Sequence, residues 1–389
     1  MEPLHKTIAI VATHPPLFQS LAGPFLAELI ERGRQVLCLG PESEDESIDW
    51  LLQTGAVWRP IPTHREGFDP SAQIRNLAAL SRAFKSEKVD AVLGLGLNGA
   101  VLAALSGRMA RVARVVSVID EIAIELRSAR GLRQRVRRET TRRLYGVALS
   151  RSHAAVFQNE DDPHRLVELG AMPRGIEVHV VGGSGVDLQS VGQQVLPPIV
   201  DGLTFLMAAP LLEHKGVVTY CRAAKLMSQR QSRAHWQLLG PPGVGPAAIS
   251  LEQLSALDAP IEYLGPDGDL IEALGRAHVF VLPSELEGMP EAVVHALAVG
   301  RPIITSDIPG CRETVDEIVN GILVPPGDAE ALAKAMESIL RRPDLIPSMA
   351  RASRKKAERW YDRRSLTRAL FEAVGLRRDD EASQLRHAS

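Results

Sequence analysis

Four apolar residues, Val279 to Leu282, run into Pro283-Ser284 and then Gly288 and Pro290; no other feature constrains the fold of these 389 residues so tightly. A short, unbroken apolar run closed by turn residues reads as a strand buried on both faces. Pro290 suits the first turn of a helix reaching about Val299, and Gly300 suits the position just past its end. Pro302 to Thr305 repeats the short buried strand, Asp307 to Gly310 the loop, and a second short helix is expected from about Cys311. Strand, loop, helix, twice over, is the repeat of a parallel α/β sheet. Both loops leave the carboxyl ends of their strands, where such sheets bind ligands. The helix starts that follow present backbone N–H groups suited to an anion.

The rest of the chain alternates in the same way. Strands are expected at Lys6–Ala12, Gln35–Leu39, Val89–Leu95 and Arg114–Ile119, with helices at Leu21–Arg32, Ile48–Gln53 and Pro70–Lys85. Val57 to Ile61 is an extended piece interrupted by Pro60. After Gly182-Gly183-Ser184-Gly185, where four small residues let the backbone turn sharply, a second series begins. It has strands at Leu203–Ala209, Trp236–Leu239 and Ile261–Leu264, and Lys215-Gly216 opening a helix to about Ser228. Asp328 is placed to cap a helix over Ala329–Leu340. Two helices follow, Pro343–Arg359 and Arg364–Val374. The fold class is therefore α/β with two Rossmann-like doubly wound domains. The divisions expected are 1–182, 183–360, a returning helix at 361–376 and a disordered polar tail at 377–389.

Net charge is −2, which excludes a global nucleic-acid signature. Cys38, Cys221 and Cys311 are scattered without metal or disulfide spacing, as expected in a reducing compartment. The start reads as a first strand and loop, not a signal peptide. No stretch approaches the roughly 20 apolar residues of a membrane span. A cytoplasmic protein, at most peripheral on the inner membrane face, is expected.

The stretch Phe280 to Pro326 resembles the family-4 glycosyltransferases. The pieces are Pro283-Ser284, Glu287-Gly288-Met289-Pro290, Gly300-Arg301-Pro302, Pro309-Gly310-Cys311-Arg312-Glu313, then Gly321 and Pro325-Pro326-Gly327-Asp328. Pro60 to Gly94, Phe157 to Gly170 and Gly183 to Leu188 resemble a bacterial subgroup that builds surface polysaccharides on polyprenyl-diphosphate carriers. The likeness spans about Lys6 to Leu340. It implies two Rossmann-like domains facing a cleft (a GT-B fold), with the last helix crossing back to the first domain. It further implies a retaining hexosyl transfer from a nucleotide sugar, expected to be UDP-linked, with no other cofactor and no metal. The acceptor expected is a glycan or a lipid-linked glycan.

Transfer from such a donor must stabilise a departing diphosphate, so cations and oriented N–H donors are required. By resemblance, Lys215 is the phosphate-binding lysine and Glu287 the first glutamate, beside the sugar or reacting centre. Gly288, Met289 and Pro290 form the sugar loop, and Gly183, Ser184 and Gly310 complete the donor contacts. The family's second glutamate, which grips the ribose, is here His295, and an arginine five residues before Lys215 is here Pro210. Neutral imidazole accepts one hydroxyl hydrogen where a carboxylate accepts two; proline offers neither charge nor N–H. His214 and Arg312 are near enough in sequence to compensate. Each candidate has a plainer alternative: Lys215 a surface lysine, Glu287 a loop cap, His295 a helix histidine paired with Glu291. Asp120, at a strand's carboxyl end, is a general base for the acceptor or an ordinary loop acid; Asn98 is a weaker acceptor contact.

Arg127 to Arg151 holds nine arginines, with Leu132, Val136, Leu144 and Ala148 on one helical stripe. Two readings stay open, a solvated helix packed by that stripe or a basic face held against anionic lipid, where each cation contributes roughly 1 kcal/mol. Tyr145 is the lone aromatic there, which argues against nucleic acid. Two further function classes compete with the transferase. One is a catalytically weakened binding or partner subunit, suggested by Pro210 and His295. The other is a sugar-nucleotide epimerase, disfavoured because no clear set of acid and base residues is visible.

Overall fold

The structure, a computed structural model, describes residues 7–43, 46–61, 70–120, 122, 126, 132–230 and 233–376. The expected tail at 377–389 and the loop around Glu121 and Ala123 lie outside them. The chain divides into two compact units, Met1–Ser184 with Arg363–Ser389, and Gly185–Asp362.

The first unit runs β1 (Thr7–Ala12), α1 (Pro16–Glu31), β2 (Gln35–Pro41), α2 (Glu46–Thr54), β3 (Val57–Ile61), α3 (Pro70–Ser86), β4 (Ala91–Leu95) and α4 (Gly96–Ala110). It continues with β5 (Arg114–Ile119), α5 (Leu132–Ser150), β6 (Ala154–Phe157), α6 (Asp161–Glu168) and β7 (Glu177–Val180). The seven strands are all parallel, in the order β3-β2-β1-β4-β5-β6-β7. The order reverses between β1 and β4, so the sheet is doubly wound.

The second unit holds β8 (Leu203–Ala208), α7 (Val217–Gln229), β9 (Ala234–Leu239), α8 (Leu251–Ala256), β10 (Ile261–Gly265), α9 (Leu270–Arg276), β11 (Val279–Leu282) and α10 (Glu291–Val299). Then come β12 (Ile303–Ser306), β13 (Gly321–Val324), α11 (Ala329–Arg341) and α12 (Ile346–Trp360). Its six parallel strands are ordered β10-β9-β8-β11-β12-β13, reversing between β8 and β11. β11 is buried throughout, as its apolar run requires, because helices cover both faces of a parallel sheet. The last helix, α13 (Arg363–Ala373), packs on the first unit as the family likeness implied. Phe371 meets Phe25 of α1 edge-on at 4.8 Å, with the Arg32 guanidinium 4.5 Å over its ring. The Arg114 Nε–H donates to the Ala373 carbonyl at 2.7 Å.

Three sequence expectations need correction. Helix α1 starts at Pro16, not Leu21, because a proline fits the first turn, where its missing N–H costs nothing. Lys215 does not open an α-helix. It ends a 3-10 turn over Glu213–Lys215, and Gly216, at φ +80°, separates that turn from α7. The Arg-rich helix does not bury its whole apolar stripe. Tyr145, Ala148 and Leu149 pack with Phe157 and Leu166, whereas Val136 is 59% exposed, because only the last two turns of α5 reach that core.

Arg301 is buried completely, and its guanidinium bonds to main-chain carbonyls. Its guanidinium donates to the carbonyls of Leu274, Gly275, Val299 and Gly300, at the ends of α9 and α10, and to those of Gln194 and Val195. Helix C-termini leave carbonyls unpaired and carry partial negative charge, so one cation satisfies two ends together. Burial lowers its pKa to about 10, which leaves it cationic at neutral pH. Arg354 adds bonds to the carbonyls of Val191 at 2.9 Å and Ala298 at 2.7 Å. Together the two arginines fix the segment 188–195 to the second unit.

Ile318 has φ +67° and is 80% exposed. A β-branched residue in the left-handed region is strained by about 1–2 kcal/mol, and no burial offsets it. Ile318→Gly is expected to stabilise the protein by about 1 kcal/mol, part of the relief being lost to the freer unfolded chain. Urea titration would measure this; equal or lower stability would show that the strain is not there.

Candidate functional site

The second unit's site is built where its sheet reverses direction. At that point the connections of adjacent strands leave in opposite directions and open a crevice beyond the carboxyl ends. β8 and β11 flank it, and their loops supply Lys215 and Glu287. These residues stand 72 apart in sequence, yet the Lys215 Nζ donates to both Glu287 oxygens, at 2.8 and 2.9 Å. Ser284, fully buried, donates from Oγ to Glu287 Oε1 at 2.8 Å and lies 3.3 Å from the Lys215 carbonyl. Glu287 is 7% exposed and the Lys215 side chain 24%.

Backbone contact holds the two loops at this separation. The Glu285 N–H donates to the His214 carbonyl at 2.8 Å. A Cβ on Gly216 would stand 2.1 Å from the Pro283 carbonyl oxygen, so only glycine lets these loops meet. The loop after β12 closes in similarly. Gly310 has φ +80°, and a Cβ there would stand 1.9 Å from the Gly288 carbonyl oxygen. Thr305 Oγ1 donates to the Leu282 carbonyl at 2.7 Å, tying the ends of β11 and β12 together. Three adjacent strands, β8, β11 and β12, thus bring Lys215, Glu287, Gly288 and Gly310 into one cluster.

Met289 and Pro290 follow in the same loop, both buried, and Pro290 stands at the N-cap of α10. His295 is half-buried in the second turn of α10. Its Nδ1 is 2.9 Å from the Glu291 main-chain carbonyl. A carbonyl only accepts, so Nδ1 carries a proton and donates it to this bond. The expected pairing with Glu291 therefore runs through its backbone. Pro210 is exposed, and its carbonyl accepts from the Leu212 N–H at 2.7 Å. Arg312 donates to the Asp307 carboxylate, so it is already engaged.

The first unit holds the remaining candidates. Asp120 directly follows β5, which pairs with β4, and a Cβ on Gly96 would lie 3.6 Å from its Oδ1. Asn98 is exposed in the first turn of α4. Gly183, at φ +65°, donates its N–H to the Gln158 carbonyl at 3.2 Å, and Ser184 beside it is buried. Among the described residues no group of three or more His, Cys, Asp or Glu side chains is arranged to hold a metal ion. Sequence reasoning missed Ser284 as more than a turn residue. Its spacing of three from Glu287 was the available signal, since that spacing lets a hydroxyl reach a carboxylate across a turn.

Two parallel sheets, each doubly wound, with a lysine–carboxylate pair at one switch point, define an α/β protein of two Rossmann-like units. Residues 202–342 match the family model described as glycosyl transferases group 1, so the second unit carries a domain of that kind. The chain is similar, at 23% identity over 350 residues, to the Campylobacter jejuni N,N'-diacetylbacillosaminyl-diphospho-undecaprenol alpha-1,3-N-acetylgalactosaminyltransferase. That match covers 86% of this chain and 89% of the relative. An Escherichia coli UDP-Gal:alpha-D-GlcNAc-diphosphoundecaprenol alpha-1,3-galactosyltransferase is 24% identical, over 71% of this chain and 73% of its own. Among solved structures, Anabaena HepE in complex with UDP and glucose superposes with a TM-score of 0.74 at 15% identity, covering 96% of this chain and all of that one (100%). This last likeness establishes the fold alone.

Proposed function

We propose that the protein transfers a sugar, with retention, from a UDP-linked donor to a polyprenyl-diphosphate-linked glycan acceptor in surface polysaccharide or glycan synthesis. The observation that carries this reading is the Lys215–Glu287 pair at the β8/β11 switch point, inside the region that matches the family. Lys215 supplies the charge that a departing diphosphate needs. Glu287 and the Gly288-Met289-Pro290 loop take the sugar, His295 the ribose, and Gly310 shapes the wall behind them. In the first unit, Asp120 is the candidate base for an acceptor hydroxyl. The acceptor class is supported by two relatives whose names specify diphospho-undecaprenol-linked glycans, and UDP by the donor named for one of them. Hydrolysis assays across common sugar nucleotides, with and without membrane extract, test the reading. One UDP-sugar is expected to be consumed faster with extract; consumption of none would contradict it.

A lipid-linked acceptor calls for access to a membrane surface. No helix among the described residues is long and apolar enough to cross one. Helix α5 presents exposed Arg133, Arg135, Arg137 and Arg143 beside exposed Val136, which supports an anionic lipid contact. Glu139, which pairs with Arg142 and Arg143, offsets part of that charge. Binding to vesicles is expected to rise with anionic lipid, weaken with salt and be lost on charge reversal at Arg133, Arg135 and Arg137. Equal binding to neutral and anionic vesicles would rule it out. The weakened-subunit reading keeps one support, the Pro210 and His295 departures.

A further inference from the structure

We infer that Lys215 is a latch on Glu287, released by the donor's diphosphate, and that Ser284 is the positioning residue that keeps Glu287 aimed while the latch is open. The inference rests on the nucleotide-sugar reading above. Without donor, Nζ spends two of its three donors on the Glu287 carboxylate. That pairing is required, because a carboxylate only 7% exposed is costly to leave unpaired. A diphosphate carries more charge than a carboxylate and competes for the same ammonium.

As Lys215 turns toward phosphate, it gives up a Glu287 oxygen. The Ser284 hydroxyl stays on Oε1 at 2.8 Å and keeps the carboxylate aimed while it accepts a hydroxyl hydrogen from the sugar. Phosphate recognition and sugar recognition are thereby coupled through one side chain.

The test is calorimetry with UDP and steady-state transfer on the full-length protein. Glu287→Gln keeps the shape, removes the competing charge and frees Lys215. It should bind UDP about tenfold more tightly than wild type, a change set by one lost charge repulsion near the phosphates. Its turnover should fall about a hundredfold, as when one transition-state contact is removed. Ser284→Ala should leave UDP affinity within about twofold of wild type and lower kcat about tenfold, with Ser284→Thr restoring it. Glu287→Gln binding UDP no better than wild type overturns the latch, and so does Ser284→Ala raising KM with kcat unchanged. Absence of UDP binding by every form, wild type included, instead overturns the donor reading itself.

Discussion

Arg301→Met is expected to remove about 4 kcal/mol from the stability of the second unit, the range seen when one partner of a buried charged network is deleted. The side chain is fully buried and donates to six carbonyls. Methionine fills similar volume but offers no donor, so carbonyl oxygens at the ends of α9 and α10 and in the segment 194–195 lose their partner, those of Leu274, Val299 and Gly300 in buried surroundings. Two of the six retain another donor, since the Ala277 N–H reaches Leu274 and the Gln194 N–H reaches Val299. Four lost partners at about 1 kcal/mol each give a figure of the same size. Arg301→Lys should recover only part, because an ammonium cannot fork to carbonyls in two directions. Guanidinium titration followed by tryptophan fluorescence reports the transition through buried Trp236. A loss under about 1 kcal/mol would mean that water replaces the arginine.

Pro210→Arg combined with His295→Glu is expected to tighten UDP binding by two to four powers of ten. The pair restores two contacts worth together roughly 3–5 kcal/mol, each counted as a hydrogen bond to a charged group. Both sites accept the change. Pro210 is exposed and lends only its carbonyl to the Leu212 N–H, which arginine retains. His295 is half-buried, and its Nδ1 bonds to a main-chain carbonyl one turn back. Lys215→Ala should abolish binding in either background, because it removes the cation and leaves Glu287 unpaired by it. A retired relative would behave differently. Wild type would bind no sugar nucleotide at millimolar ligand, and Lys215→Ala would leave the cellular role intact.

The parts of this fold legible in the sequence are those written in local chemistry. The run Val279–Leu282 could only be a buried strand, and Gly300, at φ +85°, ends α10 where the sequence placed it. Asp328 caps α11 through its bond to the Ala331 N–H at 2.9 Å. Contacts across long separations were not legible. Nothing local distinguishes Arg301 from a surface arginine in a turn; its role depends on two helix ends and a linker a hundred residues earlier meeting around it. The Lys215–Glu287 pair was foreseeable as two members of one site, but not as a bond between them. That bond depends on Gly216 admitting the Pro283 carbonyl. The stripe on α5 misled because periodicity shows which face is apolar and not how far the neighbouring core extends.

Transfer of labelled sugar from a UDP-sugar into extracted polyprenyl-linked glycan, compared between wild type and Lys215→Ala, tests the central claim most directly. Expected is lipid-soluble label with wild type and at least about a hundredfold less with the variant, as for loss of a charge-stabilising group. Equal transfer by both proteins would contradict the placement of the departing diphosphate at the β8/β11 switch point.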